Sequence, residues 1–240
     1  MLLALFFNSP IYLFVLLFLV WFILTSIGSF HIRWNYFLNA LHLNPNFNKN
    51  AVAITFDDGP HPVITPQILE LLQKYNAKAT FFCIGKQIEA YPELFKQIVD
   101  AGHTIGNHSY SHSNNFGFFS TKKVMAELKK TDDLIYALTK KKIKCFRPPF
   151  GVTNPNIAKA IKQSKHHVIG WSIRSLDTKI KDPKKIIERI TRQLKSGDVI
   201  LLHDTNERAI IVLEQLLLFL QEKQFAAVTV EQLLGLEAYE

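Results

Sequence analysis

The chain has 240 residues, 48% of them apolar, with 28 Lys and Arg against 20 Asp and Glu and a formal charge of +8. That apolar share sustains a core and excludes a disordered or fibrous chain. The basic residues form no run interleaved with aromatics, which excludes nucleic acid as the partner behind the charge.

Residues 1–32 contain no Asp, Glu, Lys or Arg, and every residue over 11–24 is apolar or aromatic. As a helix, the uncharged stretch over 2–30 reaches roughly 43 Å at 1.5 Å per residue, enough to cross a bilayer. The expectation is one transmembrane anchor over residues 1–30. A cleaved signal peptide is the competing reading, because Ser26 and Gly28 are small enough for a cleavage site, but the basic n-region such a peptide needs is missing. Arg33 and Lys49 follow the span, and the positive-inside rule alone would keep the domain in the cytoplasm. Residues 31–50 read as a linker and 51–240 as one domain.

From Ala51 onward, β-branched and aromatic runs alternate with stretches of helical period, the pattern of successive β/α units in a parallel sheet or barrel. Seven strands are predicted, over 52–56, 79–83, 103–106, 143–146, 168–172, 199–202 and 226–229. Between them, Thr65 is expected as an N-cap ahead of Pro66, and Gly102 to follow a helix holding Leu94 and Ile98. Ser120 should cap a helix over 121–140, and Asp182-Pro183 should open one that Gly197 closes. Cys83 and Cys145 sit in apolar runs as free, packed thiols, with no disulfide framework.

In parallel β/α folds the chemistry sits at the C-terminal ends of the strands, where the loops converge. Asp57 and Asp58 follow the first predicted strand, His108 and His112 the third, Arg147 the fourth, Asp177 the fifth and His203 the sixth. One shared site explains this placement economically. Asp57-Asp58-Gly59-Pro60 can also be read as a simple Asx corner. Adjacent carboxylates nevertheless leave the chain in different directions, so one can ligate a metal while the other moves a proton. The spacing of His108 and His112 predicts two imidazoles on one side of a helical turn, a common arrangement for metal capture. With a carboxylate they make a His2Asp set with open positions, as in catalytic zinc sites.

Thr55-Phe56-Asp57-Asp58-Gly59-Pro60, His108-Ser109-Tyr110-Ser111-His112, Arg147-Pro148-Pro149-Phe150-Gly151 and Leu201-Leu202-His203 together resemble, in order and spacing, the polysaccharide deacetylases, the NodB-type domain of carbohydrate esterase family 4. The resemblance covers about residues 51–234 and implies a distorted β/α barrel of about seven parallel strands. It implies that Asp57 is a general base, that Asp58, His108 and His112 hold a divalent ion, commonly zinc, and that Arg147 pairs with Asp57 and keeps it oriented. His203 would be the general acid, oriented by Asp177, and the turn through Pro149 and Phe150 would offer a backbone N–H to an oxyanion. One departure concerns the fifth-strand motif, Asp-x-x-Asp-Trp in the family, which here has Arg174 for the first aspartate and Thr178 for the tryptophan. Asp177 keeps the second aspartate. His61 is expected at the rim and His103 within its strand, neither as a ligand.

The implied function is a membrane-anchored, metal-dependent hydrolase that removes N-linked acetyl groups from a glycan sugar such as N-acetylglucosamine. A deacylase of a lipid-linked sugar at the membrane is the alternative. A metal-free carbohydrate-binding relic would be expected to show damaged ligands, and all three ligands are present. Glycan substrates of the family mostly lie outside the cytoplasmic membrane, so the domain is expected to be exported despite Arg33 and Lys49. Nothing in the sequence fixes an oligomeric state.

Overall fold

A computed structural model describes residues 10–240; the first nine residues of the expected anchor lie outside the described part. In chain order the elements are α1 (Ile11–Phe30), a 3-10 turn (Ile32–Trp34), β1 (Ala40–Leu41), β2 (Ala51–Asp57), α2 (Ile64–Lys74), β3 (Thr80–Cys83), α3 (Gly85–Ala90), α4 (Pro92–Asp100) and β4 (Thr104–Asn107). There follow α5 (Thr121–Thr139), β5 (Cys145–Phe146), α6 (Pro155–Ser164), β6 (His167–Ile169), β7 (Ile173–Arg174), α7 (Pro183–Thr191), β8 (Val199–His203), α8 (Arg208–Glu222), β9 (Ala226–Val228) and α9 (Val230–Leu234).

The strands form one sheet in the order β1-β6-β5-β4-β3-β2-β8-β7, with β9 beside the first half of β2, and all pairings are parallel. Strands β6 and β7 lie toward opposite ends of this order, yet only residues 170–172 join them. Four residue steps reach roughly 14 Å at most, so the sheet must curl until its two edges nearly meet. The result is the expected distorted barrel, open along a seam between β1 and β7. It has nine strands where seven were predicted, because β1 and β7 have two residues each, too few to show a period. Residues 31–50, read as a linker, carry β1 on β6, and within them Asn44 donates to the Leu233 carbonyl at 2.8 Å.

Alternation along β2 sorts its side chains. Val52, Ile54 and Phe56 face the helices and join the core built with Ile68 and Leu72 of α2, Ile186 and Ile190 of α7, and Leu213 and Leu216 of α8. Each such buried side chain contributes about 1.5–3 kcal/mol. The opposite face puts Ala51 and Ala53 inside the barrel with Phe82 and Val199, where Val230 and Leu233 of α9 close the bottom. By the period of two, Thr55 and Asp57 continue that inner row toward the open top.

Ser120 and Asp182 cap α5 and α7, accepting from the amides of Lys123 and Lys184. Thr65 is not an N-cap: α2 begins at Ile64, and the Thr65 hydroxyl instead accepts from the His61 amide and donates to buried Asp204 at 2.5 Å. Gly197 does not close α7, which ends at Thr191; it takes φ +87 in the turn before β8, where a Cβ would collide with the Asn44 carbonyl. Both cysteines are free and buried, and burial pushes the Cys145 thiol up to about 12.

Candidate active site

Asp57 ends β2 and Asp58 opens the following loop with φ +80, so the chain turns sharply between them. Asp58 Oδ1 lies 3.3 Å from His112 Nε2 and 3.5 Å from His108 Nε2. One ligand atom from each of the three residues lies within 4.8 Å of the others. Asp58 Oδ1 is buried and has no hydrogen-bond partner. His108 Nδ1 is 2.8 Å from the Arg147 carbonyl, which can only accept, so this nitrogen carries the proton and Nε2 presents its lone pair to Asp58. Such an outer hydrogen bond is what orients a metal-ligating imidazole. A buried anion without a donor, facing two imidazole nitrogens, is a donor set that fits a divalent cation.

The histidine pair does not sit on a helical turn as the spacing predicted. The residues from His108 to His112 form a loop after β4 in which Ser109 has φ +63 and His112 φ +46. The loop is fixed instead by hydrogen bonds. Asn107 Oδ1 accepts from the Ser109 amide, Ser109 Oγ from the His112 amide, and Glu127 of α5 from the amides of Tyr110 and Ser111 and the Ser111 hydroxyl.

Arg147 is fully buried and carries one prong, not two, to the carboxylate. Its Nη1 donates to Asp57 Oδ1 and to Thr55 Oγ1, each at 2.7 Å, while Nε and Nη2 donate to the carbonyls of Ile169 and Gly170. The guanidinium also lies 4.1 Å from the Phe82 ring centroid. It therefore braces β2 against the end of β6 across the barrel.

His203, the last residue of β8, pairs through Nδ1 with Asp177 Oδ1 at 2.8 Å, while its amide donates to Asp177 Oδ2 at 2.8 Å. Asp177 is buried and also accepts from the Ser175 hydroxyl. Leu176, at φ +61, turns it inward. Phe150 adopts φ +59 in the turn after Pro149, with its ring 4.7 Å from that of His112.

Charges are tuned to match. Burial works against the Asp58 carboxylate, but the imidazoles around it, His108 foremost, hold it well below the usual carboxylate range. Burial holds His112 down at about 4, leaving it neutral. Burial alone would also lower His203, yet its hydrogen bond to Asp177 and the surrounding carboxylates raise it to about 9.

All seven predicted site residues thus meet at one end of the barrel. Sequence reading missed Thr55, Ser175, Asn107 and Glu127, which hold the site without entering it. Thr55 opens one of the quoted motifs and Asn107 adjoins another, so both could have been found there, whereas Glu127 lies mid-helix with no local signal. His61 accepts from the amides of Val63 and Ile64, capping α2. His103 is buried against Phe81 and accepts from the Ala79 amide.

The polysaccharide deacetylase family profile matches residues 44–169. A peptidoglycan N-acetylglucosamine deacetylase of Bacillus cereus is 36% identical over 198 residues, covering 79% of this chain and 90% of that protein. The peptidoglycan N-acetylmuramic acid deacetylase PdaC of Bacillus subtilis is 33% identical over 186 residues, or 78% of this chain but only 39% of that longer protein. The PdaC structure matches with a TM-score of 0.74 over 78% of this chain and 91% of that one. BA3943 of Bacillus anthracis, a family 4 pseudoenzyme, matches with a TM-score of 0.72 at 30% identity, over 78% of this chain and 66% of its own.

Proposed function

The chain belongs to the polysaccharide deacetylase family, and on that premise we propose that it is a metal-dependent hydrolase removing acetyl groups from the amide nitrogen of an envelope glycan sugar such as N-acetylglucosamine. The observation that carries this reading is the division between neighbouring carboxylates: Asp58 faces the imidazole pair, while Asp57 is held aside by Arg147. A relic without catalysis would have no need of that division.

Asp58, His108 and His112 would hold the ion, zinc by the chemistry of the donor set, and when bound it supplies Lewis acidity toward the acyl oxygen and lowers the pKa of water. Asp57 takes the proton from the attacking water. Arg147 keeps Asp57 aimed, because its single prong to Oδ1 leaves Oδ2 free to accept. The turn through Pro149 and Phe150, with Phe150 at φ +59, would offer a backbone N–H to the developing oxyanion. His203, charged up to about pH 9, gives its proton to the departing amine, and Asp177 fixes Nδ1–H so that Nε2 delivers it.

Residues 1–30 serve as a retained anchor in this proposal, with the rest of the chain as an exported catalytic domain. One hydrogen bond supports retention: the Thr153 hydroxyl donates to the carbonyl of Gly28, a residue that cleavage would remove, while the Thr153 amide donates to the adjoining Ser29 carbonyl. The test is acetate release by the full chain in detergent, stripped of metal and reloaded with zinc, from N-acetylated chitooligosaccharides and peptidoglycan fragments. Zinc-dependent release is expected; no release with zinc or any other divalent ion would reject the function.

A further inference from the structure

Where α1 ends, the chain packs on the seam of the barrel. Gly28 is buried under the Tyr36 ring, and Arg33 Nη1 donates to the Ser172 carbonyl in the three-residue crossing from β6 to β7. Beside this contact lies a cleft of about 420 Å³ whose walls include Phe30, Arg33, Trp171, Arg174, Leu176 and Arg189. All three arginines are exposed, and among the described residues none of them enters an ion pair. Arg189 Nε donates to the Arg174 carbonyl, which leaves its two terminal nitrogens for another partner. No acidic residue lines the cleft. The surroundings are cationic too, since Lys and Arg outnumber Asp and Glu eight to three between Arg174 and Lys195.

Three unpaired guanidinium groups around one cleft make a site for a compact polyanion, because each planar fork can grip phosphate oxygens pairwise. The cleft is also placed for a lipid. Phe30 is the last residue of a helix apolar enough to cross a bilayer, and Phe30 and Trp34 expose their rings at that level, where aromatic side chains favour the membrane surface. We infer that this cleft binds the phosphate of a membrane lipid. It stands one side chain from the catalytic residues. Trp171 packs on Gly151 of the Phe150 turn and lies 5.7 Å from the Arg147 guanidinium, and Leu176 precedes Asp177. A phosphate there belongs either to a lipid that carries the acetylated sugar or to a headgroup of the surrounding leaflet.

Native mass spectrometry of the full chain in detergent, titrated with phosphatidylglycerol, with a polyprenyl-diphosphate N-acetylglucosamine and with phosphatidylcholine, reads the binding without requiring activity. Retention of the two acidic lipids should exceed that of phosphatidylcholine and should fall roughly tenfold or more in the double variant Arg174→Gln/Arg189→Gln, as expected when two cations leave a lipid phosphate. Equal retention of acidic and zwitterionic lipids, or acidic retention unchanged in a double variant that keeps the wild-type melting temperature, overturns the site. Deacetylation kinetics then separate the two sources, resting on the deacetylase reading. If the double variant loses turnover of the diphosphate glycolipid but keeps that of a soluble chitooligosaccharide, the ligand is the substrate's own carrier. If both turnovers stay while phosphatidylglycerol retention falls, it is the leaflet headgroup. Absence of turnover on every substrate by the wild-type chain would reject the deacetylase reading alone, since the retention measurement stands apart from it.

Discussion

Asp57 and Asp58 are one peptide apart and differ in everything that decides their chemistry. Asp58→Ala should abolish both metal retention and activity, and the rise in melting temperature that zinc is expected to give the wild type should vanish, because binding to the folded state is what stabilises it. Asp57→Asn should keep the zinc-induced rise and lose roughly a hundredfold or more in rate, the scale of a general base. Equal metal loss in both variants would erase the division of labour. His203→Ala should depress amide cleavage far more than cleavage of an aryl acetate, whose phenolate needs no proton to leave. The sign of the pH effect follows from the raised value. The acid form persists to about 9, and the stability this ion pair adds is complete below the ordinary histidine range and fades as pH rises through about 9. Asp177→Asn should therefore move the alkaline limb of the rate profile to lower pH; an unmoved limb would take Asp177 out of that role. These residues were legible because each motif sits at a strand end. The partners that hold them were less so, since Glu127 reaches the histidine loop only through the packing of α5, which no local sequence reveals.

At the scale of elements, the site is built from loops in costly conformations. Asp58, Ser109, His112, Phe150 and Leu176 all have positive φ without being glycine, and each such residue costs of order 1–3 kcal/mol unless its surroundings impose it. At Ser109, His112 and Leu176 they do, through Asn107, Glu127 and Ser175. That is why the four-residue spacing of the histidines misled: it matches a helix, but short polar side chains offered the backbone better partners locally. Thr65 failed as a cap for the same kind of reason, because buried Asp204 claims its hydroxyl. The long strands and helices were readable from period and caps, whereas two-residue strands carry no period at all. Gly151 combines φ +69 with the outer edge of the Trp171 ring, which a Cβ would strike. Gly151→Ala should lower the melting temperature by several degrees, roughly 2–4 °C per kcal/mol for a chain of this size, and reduce activity with it through the Phe150 turn. A variant with wild-type melting and rate would show that the turn tolerates the side chain.

At the scale of the whole molecule, the apolar helix, the seam and the candidate site are one assembly, because α1 hands its last carbonyls to Thr153, two residues beyond the Phe150–Gly151 turn. Export can be checked in sealed spheroplasts: added protease should degrade the domain while a cytoplasmic marker survives, and full protection of the domain would place it inside. Arg147 joins this architecture from within. Its four donated bonds run to both walls of the barrel, so a lysine there should cost about 3–5 kcal/mol, the range for breaking a buried ion pair, as seen in denaturant titration, besides whatever it costs in rate. This splits the routes by which the protein could lose its chemistry over evolutionary time. Asp57, Asp58 and the two histidines crown the barrel and can drift one at a time while the fold persists, leaving a silent but intact surface that can be recruited for other purposes. The arginine cannot be surrendered in that way, so in any descendant that has fallen silent it should be the last of the motif residues to change.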